Sequence, residues 1–234
     1  MTNFNPVSFE DKTAFFAEVN CNDVITQYHA KGVFYEHNQL VFHRNLIPNG
    51  STILDVGSNI GNHSIFYSQH SRAKEIYVFE PNPVAREILE ENIAQSCCYN
   101  INTKYGKYAV GLAGGAGYVS SEPENNLGAV KIASSDSGNL KQVEIVNLDS
   151  LNIDAPINFI KIDVEGREIE VLNGAGRLVQ KNRPVLSVEV GWWNEEAFWQ
   201  WLDIMSYHVI MLFQDTLGIK NYVIVPKFTK NNPC

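Results

Sequence analysis

Residues 51–61 read Ser51-Thr-Ile-Leu-Asp-Val-Gly-Ser-Asn-Ile-Gly61, an apolar run that closes on a loop with two glycines. A short β-branched run that ends at glycine predicts a buried strand of a parallel sheet over residues 51–57. In a sheet of alternating strands and helices, the loop after such a strand lies at the carboxyl edge, where these folds bind their ligands. Residues 57–61 are therefore the first candidate for a binding site.

The rest of the chain repeats this pattern. Apolar runs predict further strands at residues 76–79, 105–110, 143–146, 157–162, 185–190, 209–213 and 222–225. Apolar residues at helical spacing predict helices over residues 59–70, after Pro83, over 165–173 and over 197–205. This alternation predicts an α/β fold with a mostly parallel sheet covered on both faces. The last two strands are joined by too short a link for a parallel crossover, so we expect them to pair antiparallel.

Two segments differ from this pattern. Residues 1–50 are rich in aromatic side chains and weakly periodic, and we interpret them as an N-terminal helical cap of the same domain. Residues 111–140 are rich in Gly, Ser and Asn, which favours an inserted β-hairpin or flap. Neither a repeat nor a linker is visible, so we predict one domain, residues 51–234 with the cap of residues 1–50.

Composition narrows the functional classes. The 234 residues are 44% hydrophobic and 19% charged, which is typical of a globular domain with a substantial core. A net charge of -8 without a dense Lys/Arg run argues against a nucleic-acid partner. The four cysteines lack the spacing of a zinc site or a disulfide framework. Without a signal-peptide pattern or an apolar stretch of about 20 residues, we expect a cytoplasmic protein with no membrane span.

The first loop differs from a dinucleotide-binding loop. Such loops read G-x-G-x-x-G, but Asn59 stands where the second glycine would be, which suits a ligand without a diphosphate. Glu80 follows the predicted second strand, where a carboxylate can accept both hydroxyls of a ribose. The alternatives are that Glu80 is an acid at a helix start and that Asp55 only braces the loop.

Several segments then complete a recognisable pattern: Ile53-Leu-Asp-Val-Gly-Ser-Asn-Ile-Gly61, Val78-Phe-Glu-Pro-Asn-Pro83, Asn147-Leu-Asp-Ser-Leu151, Phe159-Ile-Lys-Ile-Asp-Val-Glu-Gly166, Glu170-Val-Leu-Asn-Gly174 and Arg183-Pro-Val-Leu-Ser-Val-Glu189. In combination they resemble the FkbM family of S-adenosylmethionine-dependent methyltransferases over residues 35–190. The resemblance implies the class I methyltransferase fold, a Rossmann-like sandwich with a mostly parallel seven-stranded sheet and an antiparallel last strand.

The resemblance also implies S-adenosyl-L-methionine as the cofactor. By position in the motifs, the residues expected to bind it are Asp55, Gly57, Ser58, Asn59, Gly61, Asn62, Glu80, Pro81, Asn82, Val110 and Asp163. The implied activity is O-methylation of a hydroxyl group on a carbohydrate or secondary-metabolite acceptor. A homo-oligomer remains open.

Three carboxylates after the predicted strands at 157–162 and 185–190 are candidates for the catalytic base: Asp163, Glu165 and Glu189. Negative charge there favours a cationic cofactor, and a carboxylate can take the proton of an attacking hydroxyl. Each residue has a structural alternative, namely a helix cap or structural acid for Asp163, a first-turn helix acid for Glu165 and an ion pair for Glu189. Lys161 either faces the cleft or pairs with these acids. Because Asp163 and Glu189 lack a clear third ligand, no metal is predicted.

Three further residues carry open alternatives. Trp192 and Trp193 either stack on a sugar or planar acceptor or pack against the helix at 197–205. His63 either touches the ligand or belongs to the packing. Two other functions also stay open: a nicotinamide-dependent oxidoreductase, which Asn59 disfavours, and a non-catalytic module that keeps the fold.

Overall fold

The computed structural model of the chain describes residues 2–19, 23–120, 132–133, 140–214 and 218–227. Its strands are β1 (Phe4–Phe9), β2 (Lys12–Ala17), β3 (Thr52–Val56), β4 (Glu75–Phe79), β5 (Ile101–Asn102), β6 (Ala109–Val110), β7 (Gly115–Ser120), β8 (Leu140–Val146), β9 (Ile157–Ile162), β10 (Val185–Val190), β11 (Tyr207–Gln214) and β12 (Lys220–Pro226). Its helices are α1 (Val24–His29), α2 (His37–Leu46), α3 (Asn62–His70), α4 (Pro83–Gln95), α5 (Glu168–Gly174), α6 (Gly176–Asn182) and α7 (Glu195–Met205).

A seven-stranded sheet forms the centre of the fold, in the order β11-β12-β10-β9-β3-β4-β5. Strands β10, β9, β3, β4 and β5 pair in parallel. Strand β12 runs antiparallel to both β10 and β11, so it is the single reversed strand. The predicted mostly parallel sheet and the predicted antiparallel pairing of the last two strands are therefore confirmed.

The two faces of the sheet bury alternate residues of each strand. In β3, Ile53 belongs to the apolar cluster beneath α3 and α4, and Leu54 belongs to the cluster beneath α5, α6 and α7. In β9, Phe159 and Ile160 divide in the same way. All five residues of β3 are buried, because strands flank it on both sides and helices cover both faces. This explains why the sequence of β3 is a continuous apolar run.

The first 50 residues correct one prediction. Residues 4–17 are not helical but form the antiparallel hairpin β1–β2, and only α1 and α2 match the expected helical cap. Val7 and Phe16 are fully buried on the inner face of this hairpin. Residues 14–17 are four consecutive apolar residues. The sequence therefore shows neither the two-residue period of a strand nor the 3.6-residue period of a helix.

The strand predicted at residues 105–110 is also wrong in part. A turn in which the Gly106 amide donates to the Thr103 carbonyl (2.8 Å) separates two short strands. β5 completes the central sheet, and β6 joins a three-stranded sheet of order β6-β8-β7. β7 lies in the segment predicted as a hairpin or flap, and it pairs antiparallel with β8, which includes the strand predicted at residues 143–146. Residues 121–131 and 134–139 of that segment lie outside the described residues.

Two helices begin later than predicted, for the same physical reason. Helix α3 begins at Asn62 because Asn59 (φ 47°) and Gly61 (φ 95°) adopt left-handed conformations. Helix α5 begins at Glu168 because Glu165 (φ 55°) and Gly166 (φ 101°) do so. Both left-handed segments directly follow central strands, so they shape the carboxyl edge of the sheet.

Candidate active site

The first loop lies where β3, β4 and β9 end together. Gly57 has a φ of 82°, and a Cβ atom placed on it would lie 1.7 Å from the carbonyl oxygen of Asp163. The amides of Gly57 and Ser58 both donate to the Phe79 carbonyl at 3.0 Å. No side chain fits at Gly57, so the glycine is required by the close approach of the loop to the end of β9.

Glu80 links the first loop to the end of β4. Its two carboxylate oxygens accept hydrogen bonds from the amides of Asn59 (2.9 Å) and Asn82 (2.8 Å). Burial raises the pKa of Glu80 to about 7, although both amide bonds act in the opposite direction. The Oδ1 atom of Asn59 is buried and has no hydrogen-bond partner within the described ranges. The carboxylate of Glu80 and the Oδ1 atom of Asn59 are therefore hydrogen-bond acceptors, and they fit a ligand whose hydroxyl groups donate.

Lys161, in β9, links the carboxyl ends of β3 and β9. Its ammonium donates to the Gly57 carbonyl at 2.7 Å and lies 3.1 Å from Asp163 Oδ2 and 3.6 Å from Asp55 Oδ1. Burial lowers the pKa of Lys161, but the charges of Asp163 and Asp55 outweigh it and raise the pKa above its usual value. Of the two alternatives for Lys161, the structure supports pairing with the acids.

Asp163 and Glu189 form a hydrogen-bonded carboxyl pair at the ends of β9 and β10. Burial and then the charge of Asp163 raise the pKa of Glu189 well above the usual range. Burial also acts to raise the pKa of Asp163, but the ammonium of Lys161 and the hydrogen bond from Glu189 outweigh it and lower that pKa. Two carboxyl groups in contact cannot both ionise easily, so Glu189 keeps the proton and Asp163 carries the charge.

Glu165 lies beside this pair, and its charge contributes to the raised pKa of Glu189. It stands three residues before α5, in a left-handed conformation, so the alternative of a first-turn helix acid is wrong. The acid at the start of α5 is instead the buried Glu168, whose carboxylate accepts from the Gly166 amide at 2.7 Å.

The structure gives several predicted cofactor residues contacts with the scaffold. Asp55 is fully buried and accepts a hydrogen bond from Ser64, which favours the bracing role that the sequence left open. Asn62 bonds to both backbone groups of Tyr35 at 3.0 Å. The side chain of Asn82 caps α4 through the Val84 amide. These contacts hold the N-terminal segment and α4 against the first loop.

The remaining predicted residues lie around the same loop. Gly61 packs on α4, because a Cβ there would lie 2.6 Å from Leu89 Cδ1. The hydroxyl of Ser58 bonds to the Asp55 carbonyl at 2.7 Å. Val110 is buried in the main core. Pro81 borders a cavity of about 320 Å³, which is also lined by Pro83, Arg86, Lys107 and residues 141–144. This cavity lies on the Glu80 side of the first loop, away from the carboxyl pair.

One polar contact near the carboxyl pair has no sequence signal. Glu36, before α2, lies 3.2 Å from the Nε2 atom of the buried His63 and accepts from Asn221 at 3.4 Å. Asn221 in turn stands opposite Glu189 in the pairing of β10 and β12. Residues that are about 30 to 190 positions apart meet here, and nothing in their spacing predicts the contact.

Comparison with known proteins settles the family. The model of the "Methyltransferase FkbM domain" matches residues 55–218. The chain belongs to this family. It is also 33% identical over 141 residues to the hexuronic acid methyltransferase AglP of Haloferax volcanii. The aligned region covers 58% of this chain and 55% of AglP. The resemblance inferred from the motifs is thereby confirmed.

Solved structures agree on the fold. An FkbM methyltransferase from Methylobacillus flagellatus superposes with a TM-score of 0.56 at 14% identity, covering 85% of this chain and 52% of that one. TYW2 of M. jannaschii, in complex with AdoMet, superposes with a TM-score of 0.51 at 12% identity, covering 96% and 85%. The chain thus spans about half the length of AglP and of the FkbM structure. The predicted class I methyltransferase fold is confirmed, and membership of a methyltransferase family supports S-adenosylmethionine as the cofactor.

Among the described residues, none of the helices is long and apolar enough to cross a membrane. Over the same part of the chain, no cluster of three or more His, Cys, Asp or Glu side chains is arranged to hold a metal ion. The absence of a metal from the reaction stays a prediction.

Proposed function

We propose that this chain is an S-adenosylmethionine-dependent O-methyltransferase that acts on a hydroxyl group of a glycan or related small-molecule acceptor. The observation that carries the proposal is the Asp163–Glu189 carboxyl pair, which lies at the edge of the first loop with Lys161 beneath it. An ionised carboxylate at this edge of a methyltransferase sheet can remove a proton from an attacking hydroxyl.

The first loop and the end of β4 would hold the cofactor. Glu80 would accept the ribose hydroxyls, and the free Oδ1 atom of Asn59 would accept a further donor. The backbone at Gly57 and Ser58 would line the methionine part, and Pro81 would border the adenine beside the cavity of about 320 Å³. When bound, S-adenosylmethionine supplies an electrophilic methyl group.

The carboxyl pair divides the chemical work between its members. Asp163 accepts the proton of the acceptor hydroxyl, because it is the ionised member of the pair. Glu189 is a positioning residue that donates its own proton to Asp163 and so fixes the direction of the carboxylate. Lys161 holds Asp163 against the first loop and keeps it charged. Such proton transfer is worth about 10²–10⁴-fold in rate.

The glycan part of the proposal rests on a relative. AglP is named a hexuronic acid methyltransferase and shares 33% identity with this chain over 141 residues. Hexuronic acids are sugars, so a saccharide acceptor is the substrate class that this likeness favours. The secondary-metabolite acceptor is the second candidate, and the family name alone does not separate the two.

Three matched variants test the assignment of the base. Asp163→Asn is expected to lower kcat by about 10²–10⁴-fold, because the amide cannot accept the proton. Glu189→Gln is expected to lower kcat less than tenfold, because Gln keeps a donor facing Asp163. Asp203→Asn, at an exposed position on α7, serves as the control. The measurement is transfer of labelled methyl from S-adenosylmethionine to a panel of glycosides, with S-adenosylhomocysteine affinity followed by calorimetry.

The results separate the roles. A large loss in Asp163→Asn with intact S-adenosylhomocysteine binding supports the base. If Glu189→Gln is the more damaged variant, Glu189 is the base and the proton is on Asp163. If the wild-type protein binds S-adenosylhomocysteine but methylates no member of a broad acceptor panel, the non-catalytic module replaces this proposal.

A further inference from the structure

Two tryptophans lie exposed beside the carboxyl pair. Trp192 is 75% exposed and Trp193 is 51% exposed, in a short turn that directly follows β10 and Gly191. Their rings meet edge to face, with centroids 5.8 Å apart and an interplanar angle of 83°. Exposed indole rings leave apolar surface in water, so their position calls for a physical reason.

The ring of Trp193 packs against two glycines, Gly191 and Gly166. A Cβ atom on Gly191 would lie 2.4 Å from Cζ2 of that ring, and one on Gly166 would lie 3.6 Å from its Nε1. The backbone of Gly191 is ordinary (φ -70°, ψ 151°), so any residue could adopt it. Glycine at 191 is therefore required by the ring and not by the backbone.

Hydrogen bonds tie this turn to the loop that carries the acids. The amide group of Asn194 donates to the Gly166 carbonyl at 3.0 Å and to Glu168 at 3.2 Å. Glu168 accepts from the Gly166 amide on the same loop. The exposed rings are thus held in a fixed place relative to the loop of residues 163–168, at the rim of the candidate active site.

The aromatic rings of α7 have ring partners other than Trp192 and Trp193. Phe198 of α7 lies against Tyr222, with centroids 4.8 Å apart, and Trp199 lies against the same two rings. Among the described residues, the ring contacts of Trp192 and Trp193 are with each other. The pair is free to cover a ligand.

The charges around the turn favour an uncharged ligand. Four acids lie at the carboxyl ends of the two strands that lead to this turn: Asp163 and Glu165 follow β9, Glu168 begins α5, and Glu189 is the last residue but one of β10. The nearby cations already face carboxylates, namely Arg167 with Glu170 and Lys220 with Glu195. An anionic sugar would meet acids here while Arg167 and Lys220 are already paired, whereas neutral hydroxyls can donate to those acids.

We propose that Trp192 and Trp193 form a stacking platform for an uncharged pyranose ring of the acceptor. The inference rests on the proposed function and names its substrate class. A pyranose has an apolar C–H face that can lie on an indole and a rim of hydroxyls that can reach the acids. The platform would place one hydroxyl of that rim towards Asp163.

Indole N–H signals in proton–nitrogen NMR spectra test this directly, because the chain has only 4 tryptophans. The protein is labelled with ¹⁵N, saturated with S-adenosylhomocysteine, and titrated separately with methyl β-D-glucopyranoside, methyl β-D-glucuronide and phenol. Single Trp→Phe variants assign the signals. We expect the glucoside to shift the signals of Trp192 and Trp193 saturably, to leave those of Trp199 and Trp201 in place, and to bind more tightly than the glucuronide.

Variants make the test quantitative. Trp192→Ala is expected to weaken glucoside binding about tenfold, which corresponds to a loss of about 1.4 kcal/mol. Trp199→Ala is the matched control and should leave the affinity unchanged, since Trp199 is 45% exposed but lies on α7.

Several outcomes would overturn the inference. They are the absence of any shift with the glucoside, equal shifts at all four tryptophans, a response to phenol alone, and tighter binding of the glucuronide. Each leaves the proposed function standing if S-adenosylhomocysteine binds. Failure of S-adenosylhomocysteine itself to bind would overturn the proposed function and the platform together.

Discussion

Glu80 shows how burial sets the behaviour of a single carboxyl group. Its pKa is raised to about 7, and the ribose hydroxyls of a cofactor would donate to its ionised form. Affinity for S-adenosylhomocysteine should then be full above pH 7 and fall as the pH drops and the carboxylate takes up a proton. Between pH 8 and pH 6 the ionised fraction falls about tenfold, and the affinity should follow.

Calorimetry at pH 6, 7 and 8 measures this effect. Glu80→Gln should bind more weakly and without this pH dependence. Glu144→Gln, at an exposed position on the rim of the neighbouring cavity, should keep the slope of the wild-type protein. A wild-type affinity that does not change from pH 8 to pH 6 would remove Glu80 from the ribose site.

Part of the site at this scale was readable from the sequence. Gly57, Glu80 and Asp163 are each predictable because they stand at strand ends, where the carboxyl edge brings them together. The proton on Glu189 was not predictable, and the pairing of Lys161 with Asp163 was only one of two alternatives, because both depend on burial and on distances of about 3 Å. The contact between Glu36 and His63 was equally hidden, since neither residue belongs to a motif.

Among the elements, the β1–β2 hairpin depends on one residue of α4. The buried Asn92 accepts a hydrogen bond from the Ala17 amide at 2.7 Å and donates to the Ile60 carbonyl at 2.9 Å. Asn92→Ala leaves both backbone groups unpaired and should lower the free energy of unfolding by about 2–4 kcal/mol. Glu91→Ala, its exposed neighbour on α4, should change stability by less than about 0.5 kcal/mol.

Urea unfolding followed by circular dichroism compares the two variants. Equal stability of Asn92→Ala and Glu91→Ala would contradict the anchoring role. Because Ile60 belongs to the first loop, Asn92→Ala should also weaken binding of S-adenosylhomocysteine.

Elements were predicted unevenly, and the reason is physical. Central strands such as β9 and β10 were predicted with their observed bounds, because burial on both faces makes them continuous apolar runs. The β1–β2 hairpin was misread because its apolar residues show no clear period, and the short strands β5 and β6 were misread because each has only two residues. Left-handed residues delayed α3 and α5, and the non-glycine members, Asn59 and Glu165, do not reveal this conformation in the sequence.

Buried histidines should reduce the stability of the whole molecule in mild acid. Burial lowers the pKa of His29 to about 4, although its hydrogen bond to Asn62 acts in the opposite direction, and burial also lowers the pKa of His43. The unfolded chain protonates these histidines below about pH 6.5, whereas the folded chain protonates His29 only near pH 4. The contribution of these histidines to the free energy of unfolding is therefore full above pH 6.5 and is lost as the pH falls towards 4.

His29 alone should account for about 2 kcal/mol of lost stability by pH 5. Because the raised pKa values of Glu80 and Glu189 act in the opposite direction, the comparison is between variants. His29→Gln keeps a donor for Asn62 and should lose less stability between pH 7 and pH 5 than the wild-type protein does. His208→Gln, at an exposed position, should behave like the wild type. Parallel loss in wild type and His29→Gln, measured by urea unfolding, would contradict this account.

The central claim is that the loop of residues 57–61 and Glu80 bind S-adenosylmethionine and not a nicotinamide dinucleotide. The direct measurement is calorimetric titration of the purified protein with S-adenosylhomocysteine and, separately, with NAD. We predict micromolar binding of S-adenosylhomocysteine that weakens strongly in Glu80→Ala, and no binding of NAD. Saturable binding of NAD without binding of S-adenosylhomocysteine would contradict the account and favour an oxidoreductase.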